Sequence, residues 1–131
     1  QKVSEKIFSS NKNYMAINKI VYPVVISYLN KEARKSKFDI TVIESALLFE
    51  SGFNKDLDYI VTVYSNKKNR ISRLMLRDEA SRNDINDLMK FQIDDKSKMS
   101  MSDFVLINNK TLKDLKIQVD FLSTVLNAMI S

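Results

Sequence analysis

The sequence predicts an α/β layer fold with a parallel sheet. Three observations lead there. Short runs rich in β-branched and aromatic residues alternate with helical pattern in the order strand, helix, strand, helices, strand, helix. The last of these helices carries one continuous apolar stripe, the mark of an element laid against a core. The 131 residues are 44% hydrophobic and 28% charged, enough apolar material for one globular domain of common size.

Residues 1 to 36 read as helical. Val3 and Ile7 share a face, and Met15, Ile17, Ile20 and Val21 follow an Asn-rich break at Asn11 to Asn13. Pro23 suits the first turn of a further helix, to which Val24, Ile26 and Leu29 supply apolar contacts. Ile40-Thr41-Val42-Ile43 reads as a first strand feeding Ala46-Leu47-Leu48-Phe49-Glu50, which Gly52 ends. Tyr59-Ile60-Val61-Thr62-Val63-Tyr64 is the strongest strand signal and is apolar enough for burial on both faces. Ser65 is positioned to cap a helix over about residues 66 to 77, and Ser81 with Asp84 resembles a capping box that opens the next. Asp94, Asp95, Lys96 and Lys98 read as a solvated helix face. Asp103-Phe104-Val105-Leu106-Ile107 is a third strand, and Thr111 with Asp114 opens the final helix. Its stripe is Leu112, Leu115, Val119, Leu122, Leu126 and Met129.

Composition restricts the chemistry. The chain has no cysteine and no histidine, which excludes a thiol nucleophile, a disulfide framework, a Cys/His zinc site and an imidazole base. Gly52 is the only glycine, so no Gly-rich phosphate loop lies within these residues. A net charge of +5 favours an anionic partner without choosing among nucleotide, nucleic acid and phosphorylated metabolite. No apolar run reaches a membrane-span length and the polar start has no signal-peptide layout, so a cytoplasmic setting without membrane contact is expected.

Two constellations could carry chemistry. Glu44 and Glu50 flank the end of the first expected strand, where ligands collect in open α/β sheets; the same residues also suit a plain strand end packing Leu47, Leu48 and Phe49. Arg70, Arg73 and Arg77 recur three and four apart on one helix. Guanidinium forks suit phosphate oxygens, although an arginine stripe by itself also fits a solvated face.

Taken in order, these segments resemble the dephospho-coenzyme A kinase family. The resemblance rests on Ile7-Phe8, Ile20-Val21-Tyr22-Pro23, Val42-Ile43-Glu44 with Leu47-Leu48-Phe49-Glu50, and Arg73-Leu74-Met75-Leu76-Arg77-Asp78. It continues through Gln92 with Lys98 and Ser102-Asp103-Phe104-Val105-Leu106-Ile107-Asn108. Tyr22 stands where the family usually has His, Ala46 where it usually has Pro, and Glu44 where Asp is common.

The resemblance implies a P-loop kinase-like parallel sheet with helical insertions, lacking the family's N-terminal strands. It implies a helical substrate-binding region at 1–37, an α/β core at 38–78 and 102–131, and lid helices at 79–101. By the same resemblance, Arg77 and Arg73 reach the phosphates of ATP, and Asn108 approaches its adenine side. Tyr22, Pro23, Glu44, Leu48 and Glu50 belong to the substrate side. The implied reaction is ATP- and Mg²⁺-dependent phosphorylation of the ribose 3'-hydroxyl of dephospho-CoA, with no metal ligands among these residues. The family's phosphate loop and N-terminal strand have no counterpart here, a missing piece of roughly 60 residues or two βα units. That strand lies in the family between the strands expected at 40–46 and 59–64. Its absence is expected to leave strand edges open to self-association.

Two other readings stand beside this one. A basic helical module could bind nucleic acid through Lys12, Lys19, Lys31, Arg34, Lys35 and Lys37. Interspersed acidic residues and the lack of an aromatic platform place it behind, and no nucleic-acid partner is expected. A non-catalytic nucleotide-binding remnant differs from the kinase reading only in the phosphate loop.

Overall fold

In the computed structural model, which describes residues 10 to 130, helix α1 (Asn11–Lys35) begins at Ser10, whose hydroxyl oxygen accepts the Asn13 amide at 3.2 Å. The chain divides into two compact units, Gln1–Lys55 and Asp56–Ser131. The expectations for Val3, Ile7 and Phe8 fall outside the described residues.

In the first unit, the Asn-rich stretch is the start of a helix, and Pro23 does not open a second one. It lies inside α1 and is exposed. Proline removes one N–H donor but its fixed φ suits a helix, and the freed carbonyl of an exposed turn can turn to water. Residues 40–45 form no strand, against expectation. A β-branched run becomes a strand only where a neighbour takes up its N–H and C=O groups, and no described residue pairs with it. The chain instead turns at Ser45, whose Oγ accepts the Leu47 amide at 3.3 Å, into the short helix α2 (Leu48–Ser51). Gly52 ends α2 as expected, at φ 76°, a left-handed conformation that glycine adopts without Cβ strain. A 3₁₀ turn, Phe53–Asp56, follows, with Phe53 buried.

The second unit is the α/β part. Strands β1 (Val61–Tyr64) and β2 (Phe104–Ile107) pair in parallel, with Val61 opposite Phe104 and Tyr64 opposite Ile107. Between them run α3 (Lys67–Asp78), α4 (Arg82–Met89) and α5 (Asp95–Ser100); α6 (Leu112–Ile130) follows β2. The core gathers Ile60, Ile71, Ile85, Leu106 and Leu122, all buried.

β1 is not buried on both faces: Val61 and Val63 are 37% and 56% exposed, and among the described residues its only ladder partner is β2. The outer edge of β2 is met differently. The Gln118 side-chain amide accepts from Ile107 N at 2.8 Å and donates to Ile107 O at 3.0 Å, standing in for a strand at that residue.

The caps are partly as expected. Ser81 accepts the Asp84 amide at 3.2 Å and opens α4, and Thr111 with Asp114 opens α6 reciprocally. The cap of α3, however, is Asn66, which accepts the Asn69 amide at 2.9 Å, and Ser65 is buried instead. The stripe of α6 is less buried than its pattern: Leu122 is buried and Leu115 and Leu126 are half-buried, whereas Leu112, in the first turn, is 82% exposed and Val119 and Met129 are exposed as well.

Asp94 caps α5 and Asp114 lies in the first turn of α6, and hydrogen bonds from Ser97 and Thr111 respectively hold their carboxyls below the usual carboxylate range. A carboxyl depressed in the folded state contributes stability that is complete above its unfolded pKa and is lost as pH falls through the folded value. The first turns of α5 and α6 are therefore expected to fray in acid, before the strands open. Amide exchange at residues 95–97 and 112–115, followed as pH is lowered, checks this against exchange at 104–107.

Candidate functional site

The parallel register brings the carboxyl ends of β1 and β2 side by side, the position where open α/β sheets bind ligands. Ser65 and Asn66 leave β1 there, and Asn108 and Asn109 leave β2. The two turns are laced together. Asn109 Oδ1 accepts Asn66 N at 2.7 Å, Asn69 Nδ2 donates to Asn109 O at 3.3 Å, and Asn108 N donates to Tyr64 O at 2.7 Å.

Arg73 spans the gap from α3. Its Nη1 donates to the Asn108 carbonyl at 3.1 Å and lies 3.5 Å from Ser65 Oγ. The structure thus joins two of the expected site residues, Arg73 and Asn108, although they are 35 positions apart. Arg77, one turn further along α3, pairs with Asp78: Nε to Oδ1 at 2.6 Å and Nη2 to Oδ2 at 2.8 Å, with the Arg77 side chain 74% exposed. Its guanidinium holds the Asp78 carboxyl below the usual range. Helix α3 carries Lys67, Lys68, Arg70, Arg73 and Arg77 against one carboxylate, Asp78, a surplus of positive charge that favours an anion.

Arg70 does not join that group. It forms a bidentate pair with Asp95, Nη1–Oδ1 2.7 Å and Nη2–Oδ2 2.8 Å, with both side chains about one-third exposed or less. The charged stretch at 94–98 is therefore not simply a solvated face. Asp94 caps α5, Asp95 is paired, and Lys98 Nζ donates to Gln92 Oε1 at 3.4 Å.

The substrate-side residues expected from the sequence lie in the first unit. A cavity of about 200 Å³ is lined by Val21, Tyr22, Val25, Leu29, Leu47 and Phe53 among others. Tyr22 sits in it as part of a polar cluster: the hydroxyls of Tyr14 and Tyr22 and Oε2 of Glu50 are all shut off from solvent. Burial first, then a hydrogen bond with Tyr14 and the nearby Glu50 charge, push the Tyr22 phenol well above its ordinary value. It remains protonated at any physiological pH and serves as a neutral hydrogen-bonding group, not as a base. Tyr22 and Glu50 are thus brought together. Pro23 and Glu44 are exposed, and Leu48, the first residue of α2, is half-buried.

Sequence reasoning missed Ser65, Asn109 and Tyr14 as members of these clusters. The polar pair Asn108-Asn109 directly after a strand was a usable signal, since such turns occupy the ligand end of a parallel sheet. Nothing local marked Tyr14, whose role depends on lying two turns from Tyr22 on one helix. Among the described residues, no group of three or more carboxylates could hold a metal ion, and no helix is long and apolar enough to cross a membrane.

The family model for dephospho-CoA kinase matches residues 1–114. The chain is 33% identical over 123 residues to a dephospho-CoA kinase of Gamma-proteobacterium EBAC31A08, covering 94% of this chain and 62% of that one. It is 31% identical over 116 residues to that of Fusobacterium nucleatum, with coverages of 88% and 60%, and 35% identical over 104 residues to that of Bacteroides fragilis, with coverages of 79% and 51%. The chain therefore spans between 51% and 62% of these relatives' lengths. The crystal structure of TT1252 from Thermus thermophilus superposes with a TM-score of 0.79 at 25% identity, over 95% of this chain and 65% of that one.

Proposed function

Because this chain belongs to the dephospho-CoA kinase family, we propose that its residues serve ATP-dependent phosphorylation of the ribose 3'-hydroxyl of dephospho-CoA, a cytoplasmic reaction. The observation that supports this most directly is the contact of Arg73 with the Asn108 carbonyl across the carboxyl ends of β1 and β2. That contact sets a guanidinium and a polar turn together at the position where a nucleotide binds an open α/β sheet.

In this reading Asn108 faces the adenine side of ATP, and Arg73 and Arg77 supply positive charge to its phosphates. Phosphoryl transfer asks mainly for positioning and charge stabilisation, which suits a chain without histidine or cysteine. The first-unit cavity, which Tyr22 lines, takes part of dephospho-CoA together with Pro23, Leu48 and Glu50 of the same unit, its apolar walls accepting the less polar portions. Glu44, exposed beside that unit's turn, is the second carboxylate on the substrate side. Mg²⁺ that accompanies ATP is ordinarily held by phosphate oxygens with one or two carboxylates and water, so it asks for no three-carboxylate group here. The lid role belongs to residues 79–101 and the substrate-binding role to 1–37.

Two-dimensional NMR titration of the chain tests the assignment even if binding is weak. ATP is expected to shift amides at 65–66 and 108–109, and dephospho-CoA those lining the first-unit cavity. If neither ligand moves these amides, or if a short RNA instead shifts Lys12, Lys19, Lys31, Arg34, Lys35 and Lys37 in a salt-dependent way, the kinase reading fails.

A further inference from the structure

The bidentate pair between Arg70 and Asp95 closes a loop of 25 positions within the second unit. Both ends are anchored. Arg70 precedes the buried Ile71 on α3, the helix whose next turn carries Arg73 and its bond to the Asn108 carbonyl. Asp95 is the first residue of α5, directly after the Asp94 cap. From α5 the chain is tied back to β1: Ser102 Oγ donates to Lys98 O at 2.8 Å and so accepts the hydrogen bond from Thr62 Oγ1 at 2.6 Å.

Between the two anchored ends, residues 79–94 contain α4, which is joined to α3 through Glu79 at φ 51°. A non-glycine residue in that left-handed region, here the C-cap of α3, is strained and persists only where the surrounding structure fixes it. Arg70 Nε is buried without a hydrogen-bond partner among the described residues, so the fork on Asp95 has to satisfy a guanidinium drawn partly out of water. Bidentate geometry of this kind is directional as well as strong, unlike an ordinary exposed ion pair.

We propose that Arg70 and Asp95 are a positioning pair that clasps the base of segment 79–94 against α3 and thereby sets where Arg73 and Arg77 stand relative to the ends of β1 and β2. The pair itself touches no reacting group. Its structural part stands on the geometry alone, and its effect on nucleotide binding rests on the function proposed above. The clasp acts on nucleotide engagement and not on the first-unit cavity.

The test uses Asp95→Asn, which keeps the shape but loses the charge, and the exchanged pair Arg70→Asp with Asp95→Arg, which restores an ion pair of the same total length. Amide hydrogen exchange reads the clasp without needing any ligand. Asp95→Asn is expected to speed exchange at Arg82–Met89 about tenfold while residues 62–64 and 104–107 keep their protection, and the exchanged pair is expected to recover most of the loss. Unchanged exchange in α4, equal loss of protection in the strands, or no recovery in the exchanged pair overturns the clasp. ATP affinity, measured on the same proteins by NMR titration, is expected to fall about fivefold in Asp95→Asn and return in the exchanged pair, with dephospho-CoA affinity unchanged. Normal ATP affinity with a loosened α4 overturns the positioning role. A wild-type chain that binds no ATP removes the proposed function and with it the positioning role, and leaves the exchange data to decide the structural clasp.

Discussion

Arg77→Ala, in an active enzyme that includes these residues, is expected to lower kcat by about 10² while leaving dephospho-CoA affinity nearly unchanged. The present geometry explains why Arg77 is suited to this. Its guanidinium is spent on the adjacent Asp78, and the Arg77 side chain is 74% exposed. An ion pair that open contributes little to stability, so replacing Asp78 by phosphate oxygens costs little and gains a charge-assisted fork on the transferring group. Arg73 is committed otherwise. Its bond to the Asn108 carbonyl ties α3 to the turn after β2, so Arg73→Ala is expected to raise the KM for ATP more than it lowers kcat. Arg77→Lys should rescue only in part, because an ammonium keeps the charge and loses the fork. Steady-state kinetics on the three variants checks the assignment. Normal kcat and ATP KM in Arg77→Ala would remove Arg77 from the site and leave Arg73 as the nearer candidate.

The second large effect is an absence of turnover: the 131 residues alone are expected to make no CoA from ATP and dephospho-CoA. Phosphate loops cradle their ligand with successive backbone N–H groups, a conformation that depends on glycine. The only glycine here, Gly52, is occupied at the end of α2, where its N–H donates to Phe49 O at 3.1 Å. Arginine side chains on α3 stabilise charge but cannot reproduce such a cradle or its lysine. Incubation with Mg²⁺, ATP and dephospho-CoA, followed by detection of ADP and CoA, decides the matter. A rate near that of a complete family member would show that the phosphates are held by side chains after all.

Much of this protein was legible in its sequence where the signal is local. The two strands of the sheet, the Ser81–Asp84 and Thr111–Asp114 caps, the glycine end of α2 and the long last helix each depend on a few neighbouring residues. The family resemblance was legible too, because it rests on several short motifs in register and not on one.

Tertiary structure decided the rest, for reasons that no local pattern contains. Ile40-Thr41-Val42-Ile43 has strand chemistry but no ladder partner among the described residues, and strand formation is a property of pairs. Pro23 has the chemistry of a helix start, yet α1 runs through it. Three arginines at helical spacing looked equivalent, but packing gave them separate partners: Asp95 for Arg70, the Asn108 carbonyl for Arg73 and Asp78 for Arg77. Residue type and periodicity by themselves determined the two paired strands, most of the helices, and that their exposed chemistry is basic and suited to phosphate. Which of those charges is bound into the scaffold was decided only when the chain brought residues 25 and 35 positions apart within hydrogen-bonding distance.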